Sequence, residues 1–413
     1  MTDAPTKTAP PAIRGSGLPK FSNARGVVET LWPDMPVYLF RPAALVADAK
    51  SFATTFRGKT AYAVKTNPHP LVLNTLADTG ISAFDVAAPS EFRMARAAAP
   101  SSELLYMHPV KSESAIREAL AAYRIRHFAL DHEGEAAKIL REARSLGVPI
   151  DELTLFVRLA TKGHAVYELS RKFGAAPGHA VELLQRVSRL GAKAGLCFHV
   201  GSQIEEADAY EKALRTAQWV RQRAGVPLAA LDIGGGFPAR YAQDRRKKAA
   251  ATHAVPPLNL LMPAINRTVE GFGFGDVPVI AEPGRAIAAR AFSVLVRVLL
   301  RKGQRLYIND GIWASLSDAW TGKLTLPVNL IPEPDRRPAK GDPRTLAPFR
   351  IMGATCDSVD ILTRPFWLPE TVSTGDWIEV GHIGAYSLSL RTDFNGLYPD
   401  TFVEVEQPFR ATG

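Results

Sequence analysis

The stretch Thr60-Ala61-Tyr62-Ala63-Val64-Lys65-Thr66-Asn67-Pro68 decides the fold. It opens as a short apolar strand, runs into a lysine and is stopped by Asn67-Pro68. The same texture recurs downstream at Ser82–Val86, Glu103–Met107, Arg126–Leu130, Leu153–Leu159, Gly195–Val200, Ala229–Ile233 and Val277–Ala281. Helix-like stretches lie between these runs. Asp131 is read as the N-cap of the Glu135–Ala143 pattern, and Ser112 as the N-cap of Ile116–Leu120. Eight strand-then-helix units predict a (β/α)8 barrel of TIM type. An open doubly wound sheet is the alternative that strand count leaves standing.

Past about residue 292 the texture changes. Val294–Leu300, Arg305–Asn309, Trp377–Val380 and Thr401–Val405 read as strands joined by Pro- and Gly-rich connections, which predicts a second, mainly β domain. Ile331–Pro348 is read as a long surface loop. Residues 1–20, rich in Thr, Pro and Ala without an apolar core, read as a disordered tail rather than a signal peptide.

Composition narrows the function classes. A chain of 413 residues with 46% apolar and 22% charged residues is ordinary for a globular protein with a large core. No apolar run reaches the ~18 residues of a membrane helix. Two cysteines, Cys197 and Cys356, make no disulfide framework, which fits a cytoplasmic location. The net charge of +9 is scattered, and its one dense cluster, Arg245-Arg246-Lys247-Lys248, reads as a solvated loop, not a nucleic-acid surface. No His/Cys/Asp spacing resembles a metal site.

The strand ends carry the chemistry. In order they are Lys65, Asp85, His108, Asp131, Arg158, His199, Gly234-Gly235-Gly236 and Glu282. A barrel builds its active site at that rim. A lysine partly desolvated at a barrel mouth offers a free amine that can join an aldehyde cofactor. Three successive glycines let backbone N–H groups converge on an anion, and Ser202 and Arg285 can add a hydroxyl and a guanidinium fork. Glu282 can keep a pyridine nitrogen protonated. His199 can lie flat on an aromatic ring. Each feature also has a plain structural reading: a surface lysine, a tight turn, a local Glu–Arg pair, a core histidine. Cys356 can serve as a proton donor or as a buried thiol, and Tyr386 offers a phenol beside a glycine turn.

Six segments, in this order, resemble the fold type III pyridoxal-phosphate decarboxylases of ornithine, lysine, arginine and diaminopimelate, most closely the ornithine/lysine branch. They are Tyr62–Pro68, Phe198–Gln203, Asp232–Pro238, Glu282–Arg285, Thr355–Asp360 and Gly384–Ser387, and the resemblance runs from about residue 36 to 405. It implies a pyridoxal-binding barrel over 36–292, a C-terminal β-sandwich or β-barrel over 293–413, and a segment 1–35 that joins the β domain. It implies Lys65 as the Schiff-base lysine, with Asp85 and Arg158 beside it, His199 on the cofactor ring and Glu282 at its nitrogen. Ser202, Gly235, Gly236, Arg285 and Tyr386 would hold the phosphate, with Gly284 allowing close approach. A head-to-tail homodimer with shared sites is implied. Across it Cys356 would act as proton donor, Asp357 would bind the distal amine, Phe394 would line the site, and Lys172 would pair with Asp360.

The expected reaction is decarboxylation of ornithine or lysine to a diamine and CO2, in polyamine biosynthesis. One departure bears on the substrate. The second acidic residue expected for the distal amine falls near Gly322, and Asp318 is the nearby replacement. Diaminopimelate, arginine or a D-amino acid are the alternative substrates. A racemase would favour an arginine where Glu282 stands, and a non-catalytic regulatory relative would have lost Lys65 or the phosphate ligands.

Overall fold

The computed structural model describes residues 16–161, 172–204, 208–243, 245, 257–334, 336 and 342–411. Most of the N-terminal tail, Arg246-Lys247-Lys248 and residues 169–171 before Lys172 lie outside the described residues.

Two strands come first, β1 (Lys20–Phe21) and β2 (Val37–Phe40). Eight follow: β3 (Lys59–Ala63), β4 (Ala83–Val86), β5 (Glu103–Tyr106), β6 (His127–Leu130), β7 (Thr154–Leu159), β8 (Lys193–Phe198), β9 (Ala230–Asp232) and β10 (Val279–Ala281). They close into a barrel in the order β10-β3-β4-β5-β6-β7-β8-β9, so the closed (β/α)8 reading holds over the open sheet. Every neighbouring pair is parallel. Seven more strands follow: β11 (Phe292–Lys302), β12 (Arg305–Ile308), β13 (Val328–Ile331), β14 (Leu346–Met352), β15 (Phe366–Pro369), β16 (Trp377–Val380) and β17 (Thr401–Val405).

The chain divides into two compact units, one holding the described residues of 50–237 and 256–284, the other those of 16–49, 238–255 and 285–413. Inside the barrel, side chains alternate in and out along each strand. The inward set Ala61, Ala83, Leu105, Met107, Ala129, Phe156, Cys197, Ala230 and Ile280 forms one buried apolar cluster. Gly195 belongs to this layer by omission. A Cβ there would lie 2.6 Å from the Phe156 ring, so the glycine makes room for it.

In the second unit the path β1-β17-β2-β11-β12-β14-β15 forms a sheet of nine strands, with β13 and β16 branching from it. Strand β11 explains the branch. Its first half pairs with β2 and β16, and its second half with β12 after a register shift between Val298 and Leu300. Helix Ala24–Leu31, capped by Asn23 accepting from the Gly26 N–H at 3.0 Å, packs Val27 and Val28 with Leu39, Leu295, Trp377 and Val403. Arg41 is buried and bonded to Glu379 at 2.6 Å and Ser293 at 2.6 Å, which satisfies its charge inside the sheet.

Three sequence readings are corrected. The stretch 36–49, assigned above to the barrel, supplies β2 to the second sheet instead, because its apolar run finds partners in β11 and β17. The Ile331–Pro348 loop is shorter at both ends, since Ile331 closes β13 and Leu346 opens β14. Asp131 is not an N-cap. His132 caps helix Glu133–Ser145 by accepting from the Gly134 N–H, while Asp131 accepts from the Gly174 N–H at 2.8 Å. Asp131 shares the inward parity of Ala129, which turns it away from the helix start. Ser112 does cap its helix, accepting from the Ala115 N–H.

Among the described residues no helix is long and apolar enough to cross a membrane.

Candidate active site

The strand periodicity builds the site. Two residues beyond the apolar layer, the same inward parity yields Asp85, Asp131, Arg158, His199, Asp232 and Glu282. Lys65 lies four residues beyond Ala61, in a single helical turn, Val64–Thr66. An apolar plug is thus topped by a polar ring, and Lys65 stands on that ring.

The Lys65 Nζ sits 2.9 Å from Asp85 Oδ2. Its side chain is 43% exposed and that of Asp85 only 2%. The lysine expected to be desolvated is instead half exposed and paired with a buried acid, because the rim of the barrel supplies a counter-group as well as a mouth. Glu91 adds to this corner. Its Oε2 accepts from the Ala87 N–H at 2.7 Å, and burial pushes its carboxyl up to about 7, with Asp85 raising and Lys65 opposing.

His199 follows β8. Burial, then the charges of Arg158 and Lys65, hold its imidazole well below the usual range, so the ring is neutral. Its Nδ1 accepts from the Gly201 N–H at 3.1 Å, which assigns the proton to Nε2. The glycine loop closes the same side. Gly234 and Gly236 have φ of +67° and +107°. A Cβ on Gly234 would overlap the Phe198 carbonyl, and one on Gly236 the Gly201 carbonyl. A Cβ on Gly235 would lie 2.7 Å from the Glu282 carbonyl oxygen and 3.1 Å from His199 Nε2. These glycines let three backbone segments meet at one point. Gly284 does the same against Thr66, in the turn that carries Lys65. Ser202 lies just beyond β8 and is partly buried.

Glu282 and Asp232 are buried, at 7% and 0% exposure. Burial, then Asp232 and Asp85, hold the Glu282 carboxyl well above the ordinary range. Asp232 escaped the sequence reading, although its inward parity with Ala230 was visible. His108 was counted at the rim, yet it stands one residue out of phase with inward-facing Met107, and its Nδ1 accepts from the Val110 N–H.

The second unit holds two further clusters. Arg285, 3% exposed, grips Asp318 with two bonds of 2.6 and 2.9 Å and donates to the Tyr241 hydroxyl at 2.8 Å. Its guanidinium lies 5.0 Å from the Tyr386 ring centroid. The acid expected as the second partner of a substrate amine thus holds a buried arginine. Both of its oxygens accept from Arg285, whose buried charge needs them. The other cluster brings Cys356, Asp357 and Phe394 together. Asp357 Oδ2 accepts from the Trp313 indole at 3.1 Å, the Trp313 and Phe394 rings meet edge-on at 6.1 Å, and Asn395 accepts from the Cys356 N–H at 3.2 Å. Cys356 is an exposed free thiol. Trp313 escaped the sequence reading because an isolated tryptophan carries no motif. Asp360, expected to pair with Lys172, is buried and takes its bonds from Ile312 and Thr355.

The donor set fits pyridoxal phosphate. It offers an amine, a neutral imidazole, a proton-holding carboxyl and a glycine loop where an added Cβ would crowd His199. Residues 43–289 match the family model described as pyridoxal-dependent decarboxylase, pyridoxal binding domain. A lysine/ornithine decarboxylase from Selenomonas ruminantium is 33% identical over 358 residues, 84% of each chain. Antizyme inhibitor 2 from Xenopus laevis is 30% identical, over 82% of this chain and 74% of its own. The crystal structure of a lysine/ornithine decarboxylase from Vibrio vulnificus, complexed with cadaverine, superposes with a TM-score of 0.76 at 29% identity, over 94% of this chain and all of the other. The chain belongs to the pyridoxal-dependent decarboxylases, in the ornithine/lysine branch of fold type III.

Proposed function

We propose that this enzyme decarboxylates lysine or ornithine, releasing CO2 and the corresponding diamine for polyamine synthesis. The observation that carries the reading is the Lys65–Asp85 ion pair standing on the same inward ring as His199 and Glu282. A regulatory relative has no need of that lysine or of the buried acids beneath it.

Bound pyridoxal phosphate supplies an electron-withdrawing ring for the electrons left when the Cα–carboxylate bond breaks. Lys65 holds the cofactor and gives up a proton at Nζ, with Asp85 as the counter-charge. Neutral His199 would lie against the cofactor ring and would not repel its positive charge. Glu282 holds a proton for the ring nitrogen. Ser202, Gly235, Gly236, Arg285 and Tyr386 hold the phosphate, and Gly284 permits the close approach. Arg158 supports Lys65 and His199 electrostatically. Asp357, set by the Trp313 N–H, takes the substrate's distal ammonium beside Phe394. Cys356 returns a proton to Cα. Cys356, Asp357 and Phe394 act in the site of a second copy, in a homodimer. Both cysteines are free thiols, which supports a cytoplasmic setting.

The test is CO2 release from ornithine, lysine, arginine and diaminopimelate, each in both enantiomers. Lysine or ornithine should turn over fastest, and Lys65→Ala should lose both turnover and the visible absorbance of the bound cofactor. Undiminished turnover in Lys65→Ala, or no release from either substrate, overturns the assignment.

A further inference from the structure

Asp232 and Glu282 form a pair of acids that share one requirement. Strand register sets Asp232 opposite Ile280, and the Glu282 N–H bonds the Gly234 carbonyl at 2.8 Å, so the two residues belong to neighbouring strands of one ring. Asp232 Oδ1 accepts from the Gly234 N–H at 2.7 Å. Asp232 Oδ2 and Glu282 Oε1 are both buried and have no hydrogen-bond partner. Each acid raises the carboxyl of the other or takes a bond from it, so the two act on one another inside the ring. Two facing carboxylates repel, and each leaves a desolvated lone pair unsatisfied. One proton between them removes both costs.

We propose that Asp232 is a positioning residue for Glu282: one proton shared between Asp232 Oδ2 and Glu282 Oε1 holds the Glu282 carboxyl in place for the ring nitrogen of the cofactor. Asp232 also ties this arrangement to the glycine loop through the Gly234 N–H. The inference rests on the role proposed above for Glu282. Its first test is made on protein without cofactor, so it can fail while that role stands.

Other charges surround the pair. Asp232 faces Asp85 from β4, Lys65 from β3 and Glu282 from β10. Glu282 faces Asp232, Asp85, Lys65 and Arg158 from β7. Beneath them Cys197 of β8 is buried, held neutral by burial and by Asp232. Burial pushes the Asp232 carboxyl up from 3.8 to about 7, eased by the Gly234 N–H. A raised carboxyl means that the folded chain binds the proton more tightly than the unfolded one. Its stabilising effect is complete below about pH 4 and is lost as pH rises through about 7.

The experiment compares wild type with Asp232→Asn and Asp232→Ala. In the cofactor-free protein, the infrared difference between wild type and Asp232→Asn at pH 5 should show a protonated-carboxyl band that fades through pH 7. The urea midpoint of the wild type should fall between pH 5 and pH 8 by more than that of Asp232→Asn. Pyridoxal phosphate should then dissociate tenfold or more readily from Asp232→Ala and within threefold of wild type from Asp232→Asn, whose amide donates without titrating. If Asp232→Ala does not fold, the infrared and urea comparisons on wild type and Asp232→Asn decide. A wild-type spectrum identical to that of Asp232→Asn, equal midpoint shifts, or Asp232→Asn as impaired as Asp232→Ala overturns the proposal.

Discussion

Replacing Asp318 by alanine separates its two readings by a wide margin. The carboxylate accepts two charge-assisted bonds from Arg285, at 2.6 and 2.9 Å, and the side chains are 7% and 3% exposed. Removing one partner of a buried pair strands the other charge, at a cost of about 3–5 kcal/mol. With a denaturant slope of about 3 kcal/mol per M in urea, the midpoint should fall by about 1–1.7 M. The assay is equilibrium unfolding of the cofactor-free protein, followed by tryptophan fluorescence and circular dichroism together. The double replacement Arg285→Met/Asp318→Leu should regain most of the loss, since apolar groups fill the space without a stranded charge. It should not regain tight cofactor binding, given the phosphate role proposed for Arg285. A midpoint for Asp318→Ala within about 0.2 M of wild type, with a raised KM for the basic substrate, would refute this and return Asp318 to the substrate.

Other outcomes follow from the same geometry. Gly234→Ala should destabilise by about 2 kcal/mol or more, since φ is +67° and the new methyl meets the Phe198 carbonyl; an unchanged urea midpoint would contradict the loop conformation. Trp313→Phe removes the N–H on Asp357 and should change KM for lysine or ornithine several-fold while kcat moves less; an unchanged KM would detach Asp357 from the substrate. Cys356→Ala should misplace the proton and yield an aldehyde by-product, detected by chromatography of the products; an unchanged product ratio removes the thiol from that role.

Some of this was legible in one dimension. Strand parity is a local property, so the rise from Ala83 to Asp85, from Phe156 to Arg158 and from Cys197 to His199 could be read directly from the sequence. The glycine triplet and Lys65 announce themselves through backbone rules that act over a few residues. Asp232 was legible by the same parity and passed unnoticed inside the glycine motif.

Partner choice was not legible, because burial and ion pairing select neighbours without regard to separation along the chain. Asp318 is 33 residues from Arg285, and no spacing rule distinguishes a carboxylate that grips an arginine from one that awaits a substrate. Asp357 meets Trp313 across 44 residues. The resemblance carried the stretch from residue 36 into the barrel, and an apolar run of four residues suits any sheet; only pairing with β11 and β17 assigned β2. The sequence by itself thus determined the barrel, its polar ring and the reaction class. Tertiary structure alone decided which buried charges satisfy one another, since desolvation is set by what surrounds a group in space.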